Sequence, residues 1–365
     1  FAALQPRHSP EETAESPPSR LPARAASLGI CHDANVPRTP RKLVRRRGFL
    51  ALAAAPIPLA AWTGFRGNAR TGSTSDSFSW PRTGPEELWR RPVGDGYSSV
   101  ALGGGRGYAA ELQDGDQSVF AFDPASGEKL WAHRWQTRFG ARRGLISTVV
   151  RSGKGPRATP AWDADVVYAA GSAGEVVALD AASGEPLWQR NIQEELDAKG
   201  SLHGVASSPL VVDDLVVLMP GRAEQRTVVA LDRKTGELRW GALSEPAAYI
   251  SPMLVTLAGR RQIVAGTQNS VVGLDPSSGR LLWQFPWKSG DWAAQPLPLD
   301  GAGLLLADGS ECARVDIVSA GAGFEAREAW RNIHLKAGFS SPVTDGEHIF
   351  GFDKSFLTCL DPKTG

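Results

Sequence analysis

Val176-Val177-Ala178-Leu179-Asp180-Ala181-Ala182-Ser183-Gly184-Glu185-Pro186-Leu187-Trp188 is the stretch that decides the fold. Its first four residues are apolar, two of them β-branched, which suits a strand buried on both faces. Asp180 can accept from the backbone two residues on, and Gly184 supplies the positive φ that a reversal needs, so the strand turns there. Leu187-Trp188 then opens a return strand. The phrase recurs as Asp123, Gly127, Trp131, as Asp232, Gly236, Trp240 and as Asp275, Gly279, Trp283, and a last copy runs from Asp361 to Gly365. Self-similarity at this spacing means one supersecondary unit used repeatedly.

Each hairpin is preceded by another pair of short strands. They are announced by Thr159-Pro160, Ser208-Pro209, Ser251-Pro252, Gln295-Pro296 and Ser341-Pro342. Proline fits where a strand begins, because its missing N–H costs least there. Four short strands per repeat, with no room for helices between them, predict an all-β propeller of about six four-stranded blades. Trp89, Trp131, Trp188, Trp240, Trp283 and Trp330 form one series, with gaps of 42, 57, 52, 43 and 47 residues. A tryptophan at a fixed place in each blade is expected to cover the neighbouring sheet and tie blades together. The fifth blade is degenerate: Ala313-Arg314-Val315-Asp316 lacks the Thr-Gly turn and is kept as a blade by its spacing to Trp330.

The ends read differently. Residues 1–44 are rich in Pro, Arg, Ser and Ala without hydrophobic periodicity, and are expected to be a disordered or untranslated leader. Residues 45–69 begin with Arg45-Arg46-Arg47-Gly48-Phe49-Leu50 and an apolar run to Ala61, the pattern of an export signal that resembles the twin-arginine type. The run is too short for a comfortable membrane span. Residues 70–79 read as a linker and 80–365 as the propeller. Gly365 stops before a Trp strand, so the propeller is expected to be truncated at its C-terminus; the competing reading is a closed six-bladed ring completed by the Leu88-Trp89 strand.

The chain holds 40 basic and 39 acidic residues. Residues 1–47 carry nine basic and four acidic ones, leaving 31 against 35 and a net of −4 in the remainder. A mildly acidic propeller argues against a nucleic-acid binder. Cys31, Cys312 and Cys359 have no zinc-type spacing; Cys312 and Cys359 read as small buried hydrophobes, with a disulfide as the alternative.

The phrase Ala-Leu-Asp-x-x-(Ser/Thr)-Gly-x-x-x-Trp, seen at Ala178 to Trp188 and Ala230 to Trp240, resembles the repeat of pyrroloquinoline-quinone (PQQ)-type propellers and covers about residues 80–365. The resemblance implies a quinoprotein-like ring of eight blades, closed by an N-terminal strand, of which this chain holds about six. That family contains quinone-dependent dehydrogenases. It also contains non-catalytic members, including the periplasmic scaffold of the outer-membrane barrel assembly machine. The dehydrogenases carry an adjacent Cys-Cys pair and a calcium site of Glu, Asn and Asp; this chain has no Cys-Cys, so those roles are not carried over, and neither PQQ with calcium nor another metal is assigned.

Propellers bind ligands where the connections into the innermost strands converge. There the chain places Tyr97, Arg157, His203, Tyr249, Trp292 and His334, with Lys336 beside the last. Together they could line a ligand funnel; the alternative is loop residues packing on one another. Asp123, Asp180, Asp232 and Asp275 read as turn-makers, so no catalytic residue is assigned. The stretch 132–162 holds Arg134, Arg138, Arg142, Arg143, Arg151, Lys154 and Arg157 and no acid, an expanded basic loop that could attract an anionic partner. The reading is an exported, periplasmic or envelope scaffold, non-catalytic, that binds a protein partner or a cell-envelope polysaccharide. The alternatives are a PQQ-dependent alcohol or sugar dehydrogenase and a structural surface repeat module.

Overall fold

The computed structural model describes residues 3–6, 61–76, 82–84, 86–139, 153, 155–290, 292–321 and 323–365. Two short strands, β1 (Ala3–Pro6) and β2 (Arg90–Val93), pair in parallel. The first blade follows as β3 (Ala101–Gly103), β4 (Arg106–Gln113), β5 (Asp116–Phe122) and β6 (Lys129–Gln136). The second is β7 (Ala161–Asp163), β8 (Val166–Ala170), β9 (Glu175–Asp180) and β10 (Pro186–Asn191), followed by one turn of helix, α1 (Ile192–Glu195). The third is β11 (Leu210–Val212), β12 (Leu215–Leu218), β13 (Val228–Asp232) and β14 (Leu238–Ala242). The fourth is β15 (Met253–Leu257), β16 (Arg260–Gly266), β17 (Ser270–Leu274) and β18 (Leu281–Pro286). The fifth is β19 (Leu297–Pro298), β20 (Gly303–Ala307), β21 (Cys312–Ala320) and β22 (Gly323–Asn332). The sixth has three strands, β23 (Val343–Thr344), β24 (Ile349–Asp353) and β25 (Phe356–Leu360). Each blade is an antiparallel meander in chain order.

The repeat phrase explains the geometry of the outer hairpin. Asp180 Oδ1 accepts from the backbone N–H of Ala182 and Ser183, and Asp232 does the same for Lys234 and Thr235. The Asp275 carboxyl is held well below the usual carboxylate range, chiefly by the Ser277 hydroxyl, with Arg260 and Ser278 adding to it. On the return strand Trp131 stands opposite Ala121, Trp188 opposite Ala178, Trp240 opposite Ala230 and Trp283 opposite Gly273, each beside a shift of register. Trp330 stands opposite Arg314 with the same shift. The fifth blade thus keeps the geometry after losing the turn, which a longer β21–β22 hairpin replaces.

Each tryptophan reaches the next blade. Nε1 of Trp89, Trp131, Trp188, Trp240 and Trp330 donates to the backbone oxygen of Pro124, Ala181, Arg233, Pro276 and Pro362, at 2.8 to 3.2 Å. The indole lies over the turn glycine of that blade: a Cβ on Gly127, Gly184, Gly236, Gly279 or Gly365 would fall 2.4 to 2.8 Å from it. Trp283 faces the fifth blade, which has no such turn, and donates instead to Gln262 Oε1 within its own blade. The exception follows from the missing Gly.

Apolar residues on both faces of β4, β5, β8, β9, β12, β13, β16, β17, β20 and β21 build a separate core at each blade junction. Val119, Ala121, Val167 and Leu179 meet between the first two blades. Ile263, Ala265, Met219 and Ala230 meet between the third and fourth. Phe120 and Phe122 close the outer face of the first blade against Trp89 and Val93.

Around the axis Ser99 and the residues before the strand prolines are linked in series. Ser99 N–H donates to Thr159 Oγ1, Thr159 N–H to Ser208 Oγ, Ser208 N–H to Ser251 Oγ, Ser251 N–H to Gln295 Oε1 and Gln295 N–H to Ser341 Oγ, at 2.9 to 3.1 Å. Five links thus join six blades, with Thr159, Ser208, Ser251 and Gln295 buried, Ser341 half-buried and Ser99 exposed. Ser251→Ala leaves the Ser208 N–H buried without its acceptor, an expected loss of about 1–3 kcal/mol. A urea midpoint unchanged from the parent would remove the relay from the account of stability.

Three expectations from the sequence change. Arg90–Val93 pairs with β1 and not with β25, against the competing reading of a closed six-bladed ring. Residues 61–76, read as the end of the export segment and the start of a linker, fold onto the blades: Trp62 exchanges backbone hydrogen bonds with Leu102 of β3, and Thr63 O accepts from Trp162 N–H of β7. Cys312 and Cys359 are both free thiols; Cys312 is buried beside Asn332 Oδ1, whereas Cys359 is exposed. The proposed leader residues 7–44 and the Arg45–Leu50 motif lie outside the described residues.

Candidate functional site at the channel mouth

The segments leading into β3, β7, β11 and β15 meet at one end of the innermost strands. Tyr97, 60 % exposed, is fixed by its N–H to Pro156 O at 2.8 Å. The Arg157 guanidinium carbon lies 5.6 Å from the Tyr97 ring centre and 5.5 Å from that of Phe139, within cation–π range of both. Its two terminal nitrogens donate to Gly155 O at 3.1 Å and Gly153 O at 3.3 Å. Burial pulls the Arg157 pKa down, while Tyr97 and Tyr249 oppose that shift. Tyr249 stacks edge-on against His203, ring centres 5.2 Å apart, and its N–H donates to Trp292 O. The result is a half-buried cation walled by aromatic rings from successive blades.

Four of the seven funnel candidates, Tyr97, Arg157, His203 and Tyr249, share this place. Trp292 does not: its side chain is fully buried, packs with Trp287, Ile250 and Gly266, and donates to Ala307 O. Only its carbonyl takes part. Lys336 is bound to Asp353 at 3.0 Å and to Ile333 O, and the His334 N–H is capped by Asn332 Oδ1. Lys336 is thus engaged within the sixth blade, while the His334 side chain is exposed. Phe139 was missed, since it lies within the basic stretch and carries no charge. Its position two residues after Thr137, whose Oγ1 accepts the Phe139 N–H, marks an ordered turn.

Of the basic stretch, Arg134 lies on β6 and Arg138 pairs with Glu194 at 3.0 Å; Arg142, Arg143, Arg151 and Lys154 lie outside the described residues. A separate cleft of about 520 Å³ opens between the third and fourth blades, lined by Gln225, Leu243, Glu245, Ser278, Arg280 and Gln284. Its carboxylate is engaged internally, by Thr267, Ser270 and Gln284. Among the described residues no group of three or more His, Cys, Asp or Glu side chains converges.

Comparison with known proteins places this architecture. A family described as outer membrane protein assembly factor BamB matches residues 115–365. The chain belongs to that family of PQQ-type propellers. BamB of Burkholderia pseudomallei is 25% identical over 251 residues, covering 67% of this chain and 57% of the relative. Quinohemoprotein alcohol dehydrogenase ADH IIB of Pseudomonas putida is 30% identical over 199 residues, 48% of this chain and 28% of the relative. The chain thus spans between 18% and 57% of the length of the curated relatives it matches. The crystal structure of BamB from Moraxella catarrhalis superposes with a TM-score of 0.52 at 19% identity, covering 73% of this chain and 71% of that one. That likeness fixes the propeller fold. BamB-family membership and the resemblance of the repeat agree on it.

Proposed function

We propose that this chain is an exported, envelope-located scaffold that docks a protein partner at the Tyr97–Arg157–Tyr249 mouth, without catalysis of its own. The observation that carries the reading is the Arg157 guanidinium held between the Tyr97 and Phe139 rings with the His203–Tyr249 pair alongside. Aromatic rings and arginine are the side chains that dominate protein–protein hot spots. Membership of a family named for outer-membrane protein assembly supports a protein partner over a polysaccharide. It also supports a place in the bacterial envelope.

A photo-crosslinking residue at position 97 of the full-length protein, expressed in its own cell, tests this. The expected product is a crosslink to an outer-membrane assembly component, reduced roughly tenfold by Arg157→Ser, the loss of two cation–π contacts. Arg280→Ser, in the separate cleft, should leave it unchanged. Equal yields from both variants would remove the mouth as the docking site. The quinohemoprotein relatives favour a second reading, a PQQ-dependent alcohol dehydrogenase. Dye-linked alcohol oxidation by the full-length protein with quinone and calcium would replace the scaffold reading with that one.

A further inference from the structure

The axis of the propeller is rich in acceptors and poor in donors, and the repeat itself makes it so. At each x-Pro pair the proline has no N–H, and the N–H of the residue before it is spent on the next blade's side chain for Thr159, Ser208, Ser251 and Gln295. What remains facing the axis is carbonyl oxygen. Buried carbonyls need donors, and among the described residues no side chain of the repeat supplies one to Ser208, Pro209, Pro252, Ser341 or Pro342. A group with several donors and no acceptor satisfies such a place best, and arginine is that group.

Residues 61–76 bring two. Arg70, 5 % exposed, donates from one terminal nitrogen to Ser208 O at 3.1 Å and Pro252 O at 2.8 Å, and from the other to Pro209 O. Arg66 donates to Pro342 O at 2.7 Å and Ser341 O at 3.4 Å, and to its own segment at Thr71 O. The two guanidiniums thus touch the third, fourth and sixth blades, while Trp62 and Thr63 hold the first and second. Both arginines sit at positive φ, 58° and 57°, a conformation that a non-glycine residue keeps only when its surroundings hold it. Gly67 and Gly72 make room beside them, since a Cβ there would meet Trp62 and Arg66 at 2.9 Å. Burial is the sole cause acting on their pKa values, about 9 for Arg70 and about 10 for Arg66, so both stay charged at neutral pH with no carboxylate contributing.

We infer that the x-Pro carbonyls form an axial guanidinium-binding site whose resident ligand is the chain's own 61–76 arm. Arg70 seats in it and the arm closes that end of the channel. Tyr97 and Arg157 precede Ser99 and Thr159 of the relay, whereas Leu102 and Trp162, which hold the arm, follow them. The arm therefore lies toward the end opposite the mouth. This inference is independent of what docks there.

The test uses the full-length protein with Arg70→Ala and Arg70→Lys. Arg70→Ala leaves three buried carbonyls without donors and is expected to lower Tm by about 5–10 °C. Methylguanidinium chloride should restore at least about 3 °C of this, and methylammonium chloride at the same concentration should not, because only the planar fork matches three divergent carbonyls. Trypsin reads the arm directly: cleavage after Arg66 should be at least roughly tenfold faster in Arg70→Ala than in the parent, with Arg70→Lys between them. If Arg70→Ala does not fold, cleavage in Arg70→Lys decides. Equal effects of the two salts overturn the guanidinium site. Parental resistance to trypsin in the variants that fold overturns the arm as its ligand.

Discussion

Trp240→Ala is expected to lower stability by about 3–5 kcal/mol, a fall in Tm of roughly 10 °C. The indole is almost fully buried in the junction between the third and fourth blades, among Leu274, Ile263 and Ala230. It also supplies the donor for Pro276 O at 3.1 Å and covers Gly279 of the next turn. Alanine removes all three at once and leaves a cavity that rigid sheets cannot collapse into. Trp240→Phe keeps most of the apolar area and loses the hydrogen bond, so about 1–2 kcal/mol is expected. Thermal denaturation of the two variants separates packing from hydrogen bonding. Equal losses would mean that the indole N–H, and not the ring, ties the blades.

The same reasoning shows what the sequence makes legible. The Asp, the Gly and the Trp act over short distances: Asp232 on Lys234 and Thr235, Gly236 at its own φ, Trp240 on the turn of the following repeat. Local chemistry repeated five times is hard to misread, so the all-β propeller follows from it. The fifth blade shows the limit of the phrase, because β21 and β22 pair over nine positions without the turn. Their apolar alternation and the register of Trp330 are sufficient.

The site was legible by address and not by direction. Tyr249 stands two residues before Ser251-Pro252 and Trp292 three before Gln295-Pro296, and successive side chains in extended chain point to opposite sides. Trp292 therefore went into the core with Trp287 while Tyr249 met His203. Lys336 was drawn away by Asp353, 17 residues later on β24. Arg66 and Arg70 were the least legible of all. Their partners are backbone carbonyls 138 to 276 residues away, and a carbonyl leaves no mark in the sequence. The signal available was the glycine spacing Gly64, Gly67, Gly72 around them, which belongs to a folded turn and not to a linker.

The glycine of the repeat carries the second large effect. At Gly279 φ is +69°, and a Cβ would stand 2.5 Å from the Trp240 ring. Alanine there is expected to cost about 1–2 kcal/mol for the left-handed backbone and a further 1–3 kcal/mol for crowding a core that has no slack. Gly259→Ala provides the comparison: φ is +76° but nothing lies within 4 Å, so only the backbone part, about 1–2 kcal/mol, should be lost. The two contributions can also be separated by removing the neighbour. In a Trp240→Ala background Gly279→Ala meets no ring, and its cost should fall to that of Gly259→Ala. The cycle is then non-additive by about 1–3 kcal/mol, with the double variant more stable than the sum of the singles. Strict additivity in equilibrium urea denaturation would mean that the glycine serves its turn alone. The blades would then be held by burial rather than by the fit of tryptophan on glycine.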